Sequence, residues 1–459
     1  MTIAKMSSVI GVSVGVTAFL TAPGVAGEGP CDANGGFDVT TVFVGEDGYG
    51  GGGTDIEYYG TSSGVRGFAV GTTSCNRGNV VAPWYGGTDN VPVIQQSAYR
   101  VYQGRFEQIG MSWLKHSFCA VSEPGCDTWT GGGCNSTGCN TLGIGCADTY
   151  WAGLNADANA PRSEINAYTG DYDYPFTISP SGPSSVRGKL QLLDADTQVS
   201  GADYYMEAQY VEPGEIDQCD GRRHLNNASH CKALVASATN IVRDQSWGST
   251  AHMIPAIFSW ADYGATVMQH DTREEDGGPA RVNTGWMVTD NGDGTWHYEY
   301  VVHNQNSHRS IESLSIAVSD STDLTNVGFH DVHYHSGEEN VIHGTDWTFA
   351  HAGGNATWTA VDEGSQTNAI RWATSYTFRF DANAAPVDGT VSMGYWRDGP
   401  TDSLDVTGPV PGSDAGCTGD VNDDGVVDVE DVLVVIAGFG TDYMVEDLLI
   451  VLANYGSDC

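Results

Sequence analysis

Positive charge is scarce in this chain. Its 459 residues include 19 Lys and Arg against 58 Asp and Glu, a formal net charge of -39. A nucleic-acid partner needs a cationic face to neutralise phosphates, and an anionic membrane surface repels so acidic a protein, so neither is expected. Strong acidity fits solubility in salty or calcium-containing surroundings, where cations screen self-repulsion. Long apolar runs are also missing. Beyond residue 26 no stretch approaches the roughly 18 uninterrupted apolar residues of a membrane helix, so the mature chain is expected to have no membrane span. Close Cys-x-x-Cys pairs are absent, which argues against a cysteine zinc site. The glycine run at 50–53 lacks a following Gly-Lys-Ser/Thr, so it is no phosphate cradle.

Residues 1–26 read as a signal peptide, with Lys5 in a positive n-region, an apolar run over 9–20, and Gly24-Val25-Ala26 before the cut. Export changes the reading of the eleven cysteines, which in an oxidising compartment should mostly form disulfides. Cys119, Cys126, Cys134, Cys139 and Cys146 crowd a Gly-, Ser- and Thr-rich stretch that has little core of its own and needs staples. Cys219 with Cys231, closing a local loop, and Cys31 with Cys75 are expected pairs. An odd total leaves at least one thiol unpaired or bonded to another chain.

Strand patterns dominate the body. Trp296, Tyr298, Tyr300 and Val302 alternate with His297, Glu299 and Val301, and an Asp-Asn-Gly-Asp-Gly turn precedes them, which predicts a hairpin with a half-buried second strand. Trp372, Thr374, Tyr376, Phe378 and Phe380 form a second alternation, and Tyr204, Met206, Ala208 and Tyr210 a third. A helix is expected near 228–242. The fold class is therefore mainly β: a Cys- and Gly-rich β or irregular domain over 27–245, a β-sandwich-like domain over 246–397, a Gly/Pro/Ser linker over 398–416, and a small helical module over 417–459.

That module carries the strongest motif. Asp420, Asn422, Asp424, Asp428 and Asp431 stand at loop positions 1, 3, 5, 9 and 12, with Gly425 at the sharp turn and Val426 offering its carbonyl. Calcium takes six to eight oxygens, and this spacing wraps them around one point. The twelve residues from Val429 recur from Val445 with seven identities, each copy placing apolar residues at helical spacing and ending at Gly. Val432, Leu433, Val435, Ile436 and Phe439 should pack against Leu448, Leu449, Val451, Leu452 and Tyr455, and Cys417 should bond Cys459. On these residues the segment resembles a type I dockerin. The resemblance implies calcium ligation by the six residues named and a cell-surface or extracellular protein partner. The second copy lacks an acidic loop, keeping only Asp442, so one ion is expected. Val429-Glu430 replaces the family's hydroxylic partner-reading pair, which points to structural or surface attachment rather than a standard cohesin contact.

Three body segments, 71–76, 104–116 and 329–338, resemble large secreted proteins of aquatic bacteria, a likeness that brings no activity with it. Chemistry concentrates at His330, His333 and His335, with Asp331, Glu338 and His343 nearby. On a strand, His333 and His335 would share a face and could hold zinc or copper. His116 beside Lys115 is a candidate acid-base residue, but no nucleophile motif surrounds it. The overall expectation is a secreted, non-catalytic binding or assembly protein. The alternative is a polysaccharide-degrading glycoside hydrolase, which would need two carboxylates from a set such as Glu107, Glu207, Glu338 and Glu339.

Overall fold

The computed structural model describes residues 35–46, 53–126, 133–219, 221–333, 338, 341–412, 419–422, 426–441 and 443–456. The signal-peptide segment, Cys31, Asp424, His335, Glu339, Cys417, Asp442 and Cys459 lie outside them.

The body is mainly β, as expected. In the N-terminal half a nine-stranded sheet runs Asn240–Arg243, Ala228–Ser237, Asp203–Val211, Val93–Tyr102, Arg105–Met111, Leu190–Leu193, Val65–Val70, Ile56–Ser62, with Lys115–His116 also pairing Val93–Tyr102. A three-stranded sheet places Thr72–Asn76 between Val39–Val44 and Ala147–Tyr150. The C-terminal half holds two five-stranded sheets, all pairs antiparallel. One is Thr266–Arg273, Pro279–Asp290, Trp296–Asn304, Thr374–Ala382, Leu324–His330. The other is Thr348–Ala352, Asn355–Thr359, Ile311–Ala317, Pro386–Tyr395, Ser403–Pro411. Tyr298, Tyr300, Tyr376, Phe378 and Phe380 from the first meet Leu314, Ile316, Trp358, Val391 and Met393 from the second in one core, the expected sandwich. Burying such side chains contributes roughly 1.5–3 kcal/mol each.

The expected half-buried strand is buried on both faces. Trp296–Asn304 turns Tyr298 and Tyr300 into the sandwich and Val301 toward Tyr99, Phe106, Tyr205 and Trp260. Its sheet is thus a middle layer between its sandwich partner and the nine-stranded sheet. Polar groups weld that second seam. Arg105 Nε meets Glu299 at 2.6 Å, Thr377 Oγ1 donates to the Phe106 carbonyl, and Ser375 N donates to Gln108 Oε1.

Two elements differ from expectation. Residues 228–242 form no helix: Ala228–Ser237 pairs with Asp203–Val211 on one side and Asn240–Arg243 on the other. The helix preference of its alanines yields here to two hydrogen-bonded strand neighbours. Within the segment read as a linker, Ser403–Pro411 is an edge strand paired along Pro386–Tyr395, and Pro409 and Pro411 are tolerated because an edge leaves one row of N–H groups without a ladder partner.

The crowded cysteines are stapled: Cys75–Cys126, Cys119–Cys139 and Cys134–Cys146. The proposed partner of Cys31 is therefore taken by Cys126. Cys219 is disulfide-bonded, but Cys231 is a free, buried thiol, so that pair does not form. Cys231 points into the core of the nine-stranded sheet, beyond reach of an oxidant, and burial pushes its thiol up to about 12. Peptide mapping of unreduced protein should return the three pairs, and iodoacetamide should leave Cys231 unmodified until denaturant is added. A Cys219–Cys231 peptide would contradict this arrangement.

Among the described residues no helix is long and apolar enough to cross a membrane.

Candidate functional site

The segment read as a calcium loop is organised, among its described residues, around Asp431. Its carboxylate is fully buried, with Oδ1 accepting from Val421 N at 2.7 Å and Asn422 N at 3.2 Å, and Oδ2 from Asp428 N at 2.8 Å. Burial works to raise its pKa, but these N–H donors outweigh it and hold the group below the ordinary Asp range. Asp428 caps the helix Val429–Ala437 by accepting from Glu430 N at 2.7 Å, completing a capping box with Asp431. Two expected ligands thus sit where loop becomes helix, and one carboxylate gathers both ends of the loop. Asp420 is also buried, at 8% exposure. Gly419, at φ +117, lets the chain enter against the second helix, since a Cβ there would lie 2.9 Å from Val451 Cα.

The second copy keeps half of this device. Asp447 Oδ2 accepts from Met444 N at 2.7 Å, but Met444 stands where Asp428 stands in the first copy and supplies no oxygen. Gly456 N donates to the Val427 carbonyl at 2.7 Å, tying the end of the second helix to the loop.

The helix pair does not pack through all the residues its periodicity assigned. Val435 and Val451 are buried with Val427, and Val432 and Leu448 pack against them. Leu433, Ile436 and Phe439 in one copy, and Leu449, Leu452 and Tyr455 in the other, are 48–59% exposed. Val429 and Val445 extend the same stripes. Two narrow helices can bury one row each against the other; the second row has nowhere to go within so small a unit.

The histidine segment is not one strand. The strand Leu324–His330 stops at its first histidine. His330 Nε2 meets the Gln108 carbonyl at 3.0 Å, across the seam with the nine-stranded sheet. Asp331 accepts from Asn368 Nδ2, Glu338 accepts from Ser163 N, and His343 pairs with Glu363 at 3.0 Å. These groups turn to separate partners, and among the described residues no three His, Cys, Asp or Glu gather as a metal site. His116 sits against the Thr88 carbonyl at 2.8 Å and stacks on Tyr174, and burial lowers its pKa.

Of the four carboxylates considered for glycoside cleavage, the three among the described residues are occupied within the fold. Glu107 pairs with Arg100 at 2.6 Å. Glu207 is wholly enclosed, accepting from Ala256 N, Tyr99 Oη and Gln95 Nε2. Glu338 is 2% exposed. A sugar cannot reach side chains so placed.

No family model matches the chain, and no curated protein matches it. Among solved structures it is similar to the C-terminal domain of the Streptococcus pyogenes antigen I/II-family protein AspA, at 10% identity and a TM-score of 0.18 over 81% of this chain and 98% of that one. It is also similar to the N-terminal domain of the Streptococcus gordonii adhesin Sgo0707, at 8% identity and a TM-score of 0.17 over 82% of this chain and 96% of that one. TM-scores of this size do not establish a common fold.

Proposed function

We propose that this chain is an extracellular, non-catalytic assembly protein: a disulfide-stapled β body joined to a dockerin-like module that binds one calcium ion and docks a protein partner. The observation that carries the reading is the duplicated stripe of exposed apolar side chains, Leu433, Ile436 and Phe439 repeated as Leu449, Leu452 and Tyr455. Contiguous exposed apolar surface of this kind marks interaction sites on soluble proteins. The three disulfides whose two cysteines are both described support formation in an oxidising compartment. Asp420, Asn422, Asp424, Val426, Asp428 and Asp431 supply calcium's hard oxygen ligands, and the ion holds the loop from which the first helix starts. Between Gly419 and Gly456 there are nine Asp and Glu and no Lys or Arg, so the matching partner is a protein surface with an apolar centre and a basic rim.

The test uses the full chain carrying Leu433→Asp and Leu449→Asp together. Both positions are solvent-exposed, so the thermal midpoint and calcium stoichiometry should stay unchanged. Retention of labelled protein on the surface of the producing cells should fall at least tenfold, and chelating calcium from wild type should lower it similarly. Equal retention of variant and wild type would remove the docking role.

A further inference from the structure

The loops beside the disulfide-stapled stretch form a surface that the calcium module does not use. Residues 79–92 and 163–186 contain no Lys or Arg, yet six aromatic residues. His116 joins them. Its strand, Lys115–His116, pairs with Val93–Tyr102, and its Nε2 lies 2.8 Å from the Thr88 carbonyl of the first loop. Tyr174 of the second loop lies flat on the imidazole, with centroids 4.6 Å apart and planes 9° from parallel. Tyr172 and Phe176 meet the imidazole edge-on, at 5.9 and 5.5 Å, and Tyr172 Oη donates to the Val91 carbonyl at 2.6 Å. The ring beneath Tyr174 is thus fixed at a nitrogen and at its edges, and burial lowers its pKa, so it is uncharged at neutral pH.

The outer face of this stack is open. Phe176 lies 5.5 Å from the imidazole and 5.6 Å from the Tyr174 ring, nearly perpendicular to both, which places it beside the stack and not on top of it. Tyr174 is 41% exposed, Tyr85 44% and Phe118 43%. The first loop rests against Phe118, since a Cβ on Gly86 would lie 3.0 Å from Phe118 Cα. Asp89, Asn90 and Asp173 are exposed around these rings. Among the described residues, their side chains and the Tyr85 and Tyr174 hydroxyls make no hydrogen bond or ion pair. Lys115, the one cation on this strand, is engaged: its side chain is 9% exposed, and Nζ lies 5.3 Å from the Phe118 ring centroid.

We infer that this surface binds a neutral polysaccharide, with one sugar ring lying on the open face of Tyr174. The C–H face of a pyranose packs on the electron-rich face of an aromatic ring, and a ring already held in place loses little freedom on binding. Sugar hydroxyls both donate and accept. The Asp89 and Asp173 carboxylates accept from them, and the Asn90 amide and the tyrosine hydroxyls donate to them. An acidic glycan finds no free cation here and is repelled by a net charge of -39. A cationic ligand would use the carboxylates and leave the amide and hydroxyl donors idle. The site adds a second ligand to the non-catalytic role and stands independently of the calcium module.

The test is native electrophoresis of the full chain through gels that each contain one soluble polymer. Four are neutral glycans, hydroxyethylcellulose, xylan, galactomannan and laminarin; alginate and polylysine supply the two charges. At least one neutral glycan should retard wild type, and alginate should not. Tyr174→Ala should raise the apparent dissociation constant about fivefold, while Tyr174→Phe keeps the stack and stays within about twofold. Asn90→Ala removes an exposed amide without a partner in the fold, so it should weaken binding about threefold and serves if Tyr174→Ala does not fold. Leu433→Asp with Leu449→Asp should bind as wild type, which separates this site from the docking stripe. Wild type unretarded by all four neutral glycans, or retarded equally with Tyr174→Ala, would overturn the site. So would retardation by polylysine alone that Tyr174→Ala removes, since that is the behaviour of a cation site.

Discussion

Asp431→Ala is expected to lower the stability of the C-terminal module by about 3 kcal/mol and to abolish the calcium response proposed for it. Three backbone N–H groups, of Val421, Asn422 and Asp428, end on this one buried carboxylate. Hydrogen bonds to a charged group contribute about 1.5–3 kcal/mol each, and partial access of water to the emptied site reduces the total. The loss also removes the helix's capping box. In wild type, calcium at one hundred times its dissociation constant would add about 2.7 kcal/mol, and loops of extracellular type hold calcium at roughly 10⁻⁴–10⁻³ M. Asp447→Ala is the control: it removes the matching contact to Met444 N in a copy without a calcium loop, so it should cost about 1 kcal/mol and leave calcium binding intact. Calorimetric titration of the full chain decides. Single-site binding by Asp431→Ala within threefold of wild type would show that the loop is not the calcium site. Because the folded-state pKa of Asp431 is depressed below 3.8, its contribution is complete above that value and is lost as pH falls through the folded pKa.

Glu207→Gln is expected to change how stability depends on pH, by about 3 kcal/mol between pH 5 and pH 9. Glu207 lies at 0% exposure on the nine-stranded sheet where it faces the middle sheet, and burial pushes its pKa from 4.5 up to about 7. His303 Nε2 lies 4.0 Å away, but burial takes that ring down to about 3, so near neutrality the contact is not an ion pair. A carboxyl whose folded pKa exceeds its unfolded pKa favours the fold fully below the unfolded value, and that contribution disappears as pH rises through the folded one. A shift of about 2.5 units corresponds to roughly 3 kcal/mol at 1.36 kcal/mol per unit. The amide keeps an acceptor for Ala256 N and cannot ionise. Urea midpoints of wild type and variant at several pH values should therefore diverge in the variant's favour as pH rises. Parallel curves would mean that Glu207 is not the group responsible.

Sequence patterning located much of this architecture. The Asp-Asn-Gly-Asp-Gly turn and its flanking alternation gave the hairpin of Pro279–Asp290 with Trp296–Asn304, because alternation and turn chemistry are local properties. Tyr376, Phe378 and Phe380 were assigned to one face for the same reason and share the sandwich core. The alternation did not reveal that Glu299, Val301 and His303 would be buried as well. Polar residues are buried only when another surface supplies partners, and here Arg105 and the Tyr99 face of the nine-stranded sheet do so from far along the chain. Residues 228–242 misled for a related cause: alanine favours a helix locally, but strand neighbours on both sides override that propensity.

The sequence by itself determined the β class, the crowding of cysteines in need of staples, and the duplicated loop-helix module with its oxygen-bearing positions. Each is written in composition or in spacing along the chain. The tertiary structure alone decided which cysteines pair, since two sulfurs bond only where the fold brings them together, joining Cys75 to Cys126 and leaving Cys231 enclosed. It decided which half of each helix's apolar residues stays in solvent, because a helix has two apolar rows and its partner covers one. It also decided that His116 and Tyr174, far apart in the chain, stack with one face open, since only the fold lays the loop of the second on the strand of the first.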